Sequence, residues 1–181
     1  MAAVDYFLKL DGIDGESTDD FHKGEIEISS FSWGASNSGA FSHGGGGGAG
    51  KVQMQDFHFA MDTSQASPVL MLACATGQHI KLATLTVRKA GGESRDDFLK
   101  ITLSDVIVSS FDVGGDSSSL VPAVTPAPST KAAGGGGGTG VPTEAVSFNF
   151  TKIEWTYRRQ AADGSVVLSR SGWDLKKGTK I

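Results

Sequence analysis

The chain has 181 residues and a mass of 18.8 kDa, the size of one ordinary domain. Its 20 acidic and 16 basic side chains give a formal charge of −4, which provides no general attraction to nucleic acid or anionic lipid. The single cysteine, Cys74, excludes an intramolecular disulfide and a thiolate metal cage. We therefore expect no nucleic-acid partner, no membrane insertion, no cofactor and no metal.

The N-terminal residues lack the pattern of a cleaved signal peptide, because Asp5 and Lys9 interrupt the first apolar stretch. No apolar run reaches the length of a membrane-spanning helix. These features predict synthesis in the cytoplasm.

Alternation of apolar and polar residues predicts strands along most of the chain, beginning with residues 4–10. The alternation changes parity within three apolar runs, at 26–33, 52–59 and 146–157, as a β-bulge would cause. Further strands are predicted at about 81–89, 98–103, 106–113 and 166–175. Bulged, bent strands favour a closed barrel, so we predict an all-β, mainly antiparallel fold.

One short helix is predicted at residues 67–77 and is expected to pack on the barrel. Ser67 is suited to cap its start, Pro68 to occupy its first turn and Gly77 to end it. Helical spacing places an apolar group on one face: Val69, Leu70, Ala73 and Cys74.

The segment 114–143 is rich in glycine, proline and serine and holds four of the five prolines. Such a composition buries too little apolar surface to offset the entropy of ordering, which predicts a flexible loop. Because strands are predicted on both sides, we interpret it as an insertion between paired strands within one domain, 1–181.

The glycine run ending at Lys51 matches part of the P-loop pattern through Gly45 and Gly50. Val52 stands where a magnesium-binding hydroxyl is needed, and the following residues alternate like a strand rather than starting a helix. The run is better interpreted as an extended loop or hairpin tip.

Other candidate chemistry has simpler explanations. The four histidines show no metal-ligand spacing and are expected at the surface, although Asp56 and His58 share a strand face. The acidic pairs Asp19-Asp20 and Asp96-Asp97 are predicted to be solvated turn residues. No catalytic motif is found, so we predict that the chain is not an enzyme.

Aromatic residues could form a stacking platform for sugars or bases, but burial in the barrel core or at a subunit contact is the favoured interpretation. The residues concerned are Trp33, Trp155, Trp173, Phe148 and Phe150.

Six strings in order resemble one family: FSWGASNSGAFSHGGGGGAGKVQMQDFHF, SPVLMLACATGQHI, LTVRKAGGE, VIVSSFDVGG, EAVSFNFTKIEWTY and GWDLKK. The family is that of the hemolysin-coregulated protein, the tube subunit of the type VI secretion system. The resemblance implies a bent β-barrel with one helix, a homo-hexameric ring and a stacked hollow tube without catalytic residues. It also implies export by a contracting sheath behind a tip spike protein, with small effectors in the lumen.

The resemblance further implies that an extended loop reaches the neighbouring ring during stacking. That loop maps onto His43, Gly44, Gly45, Gly46, Gly47, Gly48, Ala49, Gly50 and Lys51. A glycine-rich arm suits this role because it can become ordered on contact.

Alternation supplies candidates for the wall of the lumen. Ser32 points away from the aromatic residues on either side of it, and three polar residues oppose Val146, Phe148 and Phe150 in the same way. These three are Ser147, Asn149 and Thr151. Two other functions stay open on the sequence alone: a monomeric β-barrel that binds carbohydrate or protein, and a phosphate-handling enzyme that uses residues 45–51.

Overall fold

The computed structural model describes residues 4–37, 51–89, 97–114, 141–160 and 164–181. Eleven strands and one helix lie in these ranges. In chain order they are β1 (Val4–Leu10), β2 (Ile26–Ser32), β3 (Ala35–Asn37), β4 (Val52–Met54), β5 (Phe57–Asp62), α1 (Ser67–Thr76), β6 (His79–Lys89), β7 (Asp97–Gly114), β8 (Thr143–Asn149), β9 (Lys152–Gln160), β10 (Val166–Asp174) and β11 (Thr179–Lys180).

Six antiparallel strands close into a barrel, as the sequence predicted. β1 pairs with β2 and β6, β2 pairs with β5, and β5 pairs with β8. β7 completes the ring by pairing with both β6 and β8. Inward side chains alternate along every strand and form one apolar core, which includes Leu8, Ile26, Phe57, Met61, Leu85, Ile101, Val106 and Phe148.

The 18-residue strand β7 is long enough to pair with different strands along its two halves. Its first half pairs with β9, as at Leu99 and Tyr157, and its second half pairs with β8, as at Val108 and Phe148. β9 continues to β10 and β11, which lie outside the closed ring of strands. The prediction of two strands at 98–103 and 106–113 was therefore wrong. The residue between them, Asp105, stays within β7 in a left-handed conformation, with φ of 53°.

The three parity changes have different causes. The change in β2 is a bulge, as predicted, because its register with β5 shifts between Ile28 and Ser30. The change at 52–59 is a break: β4 pairs with β3 in a separate two-stranded sheet, and β5 starts afresh at Phe57. The third marks the passage from β8 to β9, around Thr151, along the same partner strand. Parity alone cannot separate a bulge from a break.

Helix α1 ends as predicted at Gly77, whose φ is 66°, but it begins differently. Its N-cap is Ala66, which provides no side-chain cap. The Ser67 hydroxyl instead donates a hydrogen bond to the buried Glu144 carboxylate (2.7 Å), which also accepts one from Thr63 (2.9 Å). A carboxylate at a helix N-terminus is favourable for the helix dipole, so Glu144 stabilises this end.

The face of α1 that packs on the barrel is narrower than predicted. Leu70 and Ala73 are fully buried and Cys74 is half-buried against the core. Val69 is exposed, as are Met71 and Leu72, so its assignment to the packed face was wrong. Successive residues of an α-helix are rotated by about 100°, so the Val69 side chain points away from that of Leu70 and lies outside the face that contacts the barrel.

Outside the barrel, residues 13–25 cover a polar cluster on β1 and β6. Both Arg88 terminal nitrogens donate to the Asp19 carboxylate at 2.8 Å, and one also reaches Asp5 at 3.3 Å. The guanidinium lies 4.8 Å from the Phe7 ring centre, and His22 stacks on Phe7 at 4.3 Å. We call these five residues the Arg88 cluster.

Two sequence predictions are corrected by this cluster. Asp19 is not a solvated turn residue, because its side chain is only 14 % exposed and is paired with a buried arginine. His22 is not a surface histidine: it is buried, and its ring nitrogens face Glu25 and Asp97 at 3.0 and 3.1 Å. The Arg88 guanidinium holds the pKa of the Asp19 carboxyl well below its usual range.

The aromatic residues pack against the barrel core, as the favoured interpretation held. Phe148 and Phe150 are buried, whereas Trp33, Trp155 and Trp173 are partly buried against the core. No helix among the described residues is long and apolar enough to cross a bilayer.

Candidate functional surfaces

A band of small polar side chains runs across the outside of four barrel strands. Ser32 of β2 pairs with His58 of β5, His58 with Ser147 of β8, and Ser147 with Ser110 of β7. The neighbouring row points into the core, so this row faces outward. We call this surface the polar face; it comprises Ser30, Ser32, His58, Ala60, Ala145, Ser147, Asn149, Ser110 and Asp112.

Side-chain hydrogen bonds link neighbouring strands across this face. The Ser110 hydroxyl donates to Ser147 Oγ at 2.9 Å, and Ser147 Oγ lies 2.6 Å from His58 Nδ1. At one end, Asp56 accepts hydrogen bonds from Ser109 (2.6 Å) and Asn149 (2.9 Å). These hydrogen bonds link three of the four strands that form the polar face and the Asp56 carboxylate at its end.

The structure brings together three of the four residues predicted for the lumen. Ser32 and Asn149 are exposed on the polar face, and Ser147 lies between them but is buried by its hydrogen bonds. Thr151 lies elsewhere, with its hydroxyl donating to the Ser104 carbonyl at 3.1 Å.

The polar face also includes residues that were not predicted for the lumen, among them His58 and Ser110. Alternation could have found His58, since buried Phe57 and Phe59 flank it. The metal alternative for Asp56 and His58 gains no support. Across the described ranges, no group of three or more histidine, cysteine or acidic residues is arranged to bind a metal ion.

Strand β10 presents apolar side chains to solvent on both of its faces. Residues 166–171 are all exposed, and Leu168 reaches 65 % exposure beside Val166 and Val167. β9 covers one edge, while β11 pairs only at Trp173 and Asp174. Along 166–171, the other edge has no partner strand in the described part of the chain. An exposed apolar strand with an open edge is typical of surfaces that bind another chain.

The predicted stacking loop, 43–51, falls almost wholly outside the described residues. Lys51 is described and is exposed. Asn37 pairs with Val52, so the two ends of segment 38–51 are neighbours. Since a strand rather than a helix follows Lys51, a phosphate site has no helix N-terminus to use.

An open depression of about 510 Å³ lies near the start of β6. We call it the lysine depression; among the residues that line it are Lys81, Leu82, Thr151, Lys152, Lys176 and Lys177. Hydrogen bonds from Lys176 (2.8 Å) and His79 (2.7 Å) lower the pKa of Asp105 at its rim. Four lysines and two aspartates, Asp105 and Asp174, line the depression, so its net charge is positive.

Comparison with known proteins adds a family assignment. Residues 7–157 match the family described as type VI secretion system effector, Hcp. Protein hcp1 of Pseudomonas aeruginosa is 40% identical over 179 residues, which cover 99% of this chain and 96% of that protein.

Solved structures agree in fold over the full length. One described as the structure of a type six secretion system protein has a TM-score of 0.81 and 30% identity, over 99% of this chain and 100% of the other. Hcp1 from Salmonella typhimurium has a TM-score of 0.71 and 32% identity, over 100% of both chains.

Proposed function

The chain belongs to the Hcp family of type VI secretion proteins, and we propose that it is the structural subunit of the type VI secretion inner tube. Copies close into homo-hexameric rings, and the rings stack into a hollow tube. The tube is exported without a cleaved signal peptide by a contractile sheath, behind a tip spike protein, and carries small effectors in its lumen.

The exposed strand β10 is the observation that supports ring formation most directly. Val166, Val167 and Leu168 are exposed on opposite faces of a sheet that lies outside the barrel core. Burying a side chain of this kind stabilises an interface by about 1.5–3 kcal/mol. A neighbouring subunit that covers β10 would bury all three and pair its open edge.

The polar face is the surface we assign to the lumen. Most of its side chains are short and polar, and His58, Ser147 and Ser110 are linked by hydrogen bonds, so a channel lined by them would stay hydrated and offer weak hydrogen-bonding positions. Such a wall holds a cargo protein without a deep, specific pocket and allows its release. Ser32 and Asn149 are two of its exposed hydrogen-bonding groups.

The first experiment measures the mass of the purified chain by size-exclusion chromatography with light scattering, and images the particles by negative stain. We expect six times the chain mass and annular particles. Leu168→Asp should give monomers, because a carboxylate would be buried at the contact. Met71→Asp, on the exposed side of α1, is the matched control and should assemble. A wild-type chain that stays monomeric at every concentration would favour a monomeric binding module instead.

The second experiment tests the lumen. Ser32→Gln and Asn149→Trp place larger side chains on the polar face, so a co-produced effector should be retained at least about tenfold less well. Thr76→Gln, on the helix, is the control. Ring mass is measured in parallel, and unchanged retention by intact variant rings would remove Ser32 and Asn149 from the lumen wall.

A further inference from the structure

Phe21 has the greatest exposure of any large apolar side chain in the described part of the chain, at 73 %. It does not lie on a loosely held turn. Asp19 Oδ1 accepts hydrogen bonds from the backbone N–H groups of Phe21 (3.0 Å) and His22 (3.2 Å), which fixes the turn.

The Arg88 cluster anchors that turn to the barrel from below. Asp19 is held by the buried Arg88, and the next anchored residue, His22, stacks on Phe7. The loop is also packed tightly at its base, where a side chain at Gly15 would collide with the carbonyl of Glu25. The backbone on both sides of Phe21 is therefore ordered in the free subunit. We call the exposed Phe21 side chain on this ordered turn the Phe21 knob. Because the turn is already ordered, the knob loses little conformational entropy when a partner covers it.

Charge is distributed unevenly between the two ends of β6. The segment that carries Phe21, residues 16–27, contains five acidic residues and one lysine. Residues 175–181 contain three lysines and no acidic residue. The Arg88 cluster lies at one end of β6 and the lysine depression at the other. Seven residues separate Arg88 from Lys81, which is roughly 23 Å along a strand.

The lysine depression matches the knob in chemistry. Leu82 lines it and is 43 % exposed, which provides an apolar contact for a ring. Lys81 and Lys177 carry charges that suit both an aromatic face and a carboxylate. Asp20, next to Phe21, is an exposed carboxylate on the knob.

We propose that the Phe21 knob, with Asp20, inserts into the lysine depression of a subunit in the next ring. This inference rests on the tube function proposed above and identifies a surface through which rings stack, in addition to the predicted loop at 43–51. Since knob and depression lie at opposite ends of one strand, the contact is heterologous and repeats from ring to ring without closing.

Cross-linking tests the juxtaposition directly. In a Cys74→Ser chain, Phe21→Cys and Leu82→Cys are combined, rings are concentrated, and a short bis-maleimide is added. We expect a ladder of linked chains that extends beyond six on a denaturing gel. Phe21→Cys with Met71→Cys is the matched control. A ladder no stronger than that of the control would overturn the proposed contact. A ladder that stops at six chains would place the contact within a ring and overturn its role in stacking.

A charge exchange tests the energetics with rings whose mass has been verified. Asp20→Lys and Lys177→Asp should each raise the concentration needed for ring-to-ring association at least about tenfold. The double variant should return this concentration to the wild-type value. Lys9→Asp, an exposed change on β1, is the control and should behave like the wild type. Single variants that associate normally, or a double variant that is not restored, would overturn the proposal. Failure of the wild type to form rings would instead refute the tube function.

Discussion

Asp19 and Arg88 show how one ion pair can order a whole segment. Arg88 is buried, so its charge requires a partner, and the carboxylate that supplies it comes from a loop 69 residues away in sequence. The same carboxylate fixes the backbone of the turn that follows. The sequence showed an acidic pair and could not reveal which of its two members faces inward.

Asp19→Asn should reduce the free energy of unfolding by about 2 kcal/mol. Removing one partner of a fully buried pair costs about 3–5 kcal/mol, but Asp5 remains near Arg88 and Asp19 is partly exposed, so the smaller value is expected. Urea denaturation at neutral pH measures the loss. Asp20→Asn is the control, with a change within about 0.5 kcal/mol.

The pH dependence of the same variant has a defined sign. The pKa of Asp19 in the folded chain lies below its ordinary value of 3.8, so its contribution is complete above that pH and is lost as the pH falls toward the folded value. The stability difference between wild type and Asp19→Asn should therefore shrink below about pH 4. If the stability difference between the two chains stayed constant down to pH 2, the charge of Asp19 would not contribute to the stability of the fold.

At the scale of elements, helix α1 depends on strand β8 for its start. The buried Glu144 carboxylate accepts hydrogen bonds from Ser67 and Thr63, and these bonds tie the start of the helix, which has no side-chain cap, to β8. The sequence predicted the helix and its left-handed end at Gly77, because Pro and Gly act locally. It misassigned Ser67, because the partner that draws this hydroxyl away is 77 residues distant.

Ser67→Ala should destabilise the fold by about 1–3 kcal/mol, since Glu144 would stay buried with one donor fewer. Hydrogen exchange should show the loss first as reduced protection in α1, the element that this bond anchors to β8. Thr76→Ala removes an exposed hydroxyl bonded to Leu72 within the same helix and should change stability by less than about 0.5 kcal/mol. Equal effects of the two substitutions would argue against a special role for Glu144.

At the scale of the whole molecule, periodicity predicted the all-β class and the bounds of β1, because alternation follows directly from burial on one side. It could not distinguish the bulge at Ile28 from the break before Phe57, since both reverse parity. The polar face was predicted in part: Ser32, Ser147 and Asn149 alternate with core residues, and His58 alternates in the same way, whereas Ser110 joins them through strand pairing. No local sequence pattern indicates that Phe21 or the lysine depression binds a partner.

The pairing of Gly114 with Thr143 places the two ends of a long polypeptide segment side by side at the tip of one ladder. The entropy of closing a loop rises only with the logarithm of its length, by about 0.6 kcal/mol for each doubling. A foreign sequence, such as an epitope or a dye-binding peptide, could therefore be grafted between these two residues with little strain on the strands. In the proposed tube, every subunit would carry the graft, which would therefore occur at regular intervals.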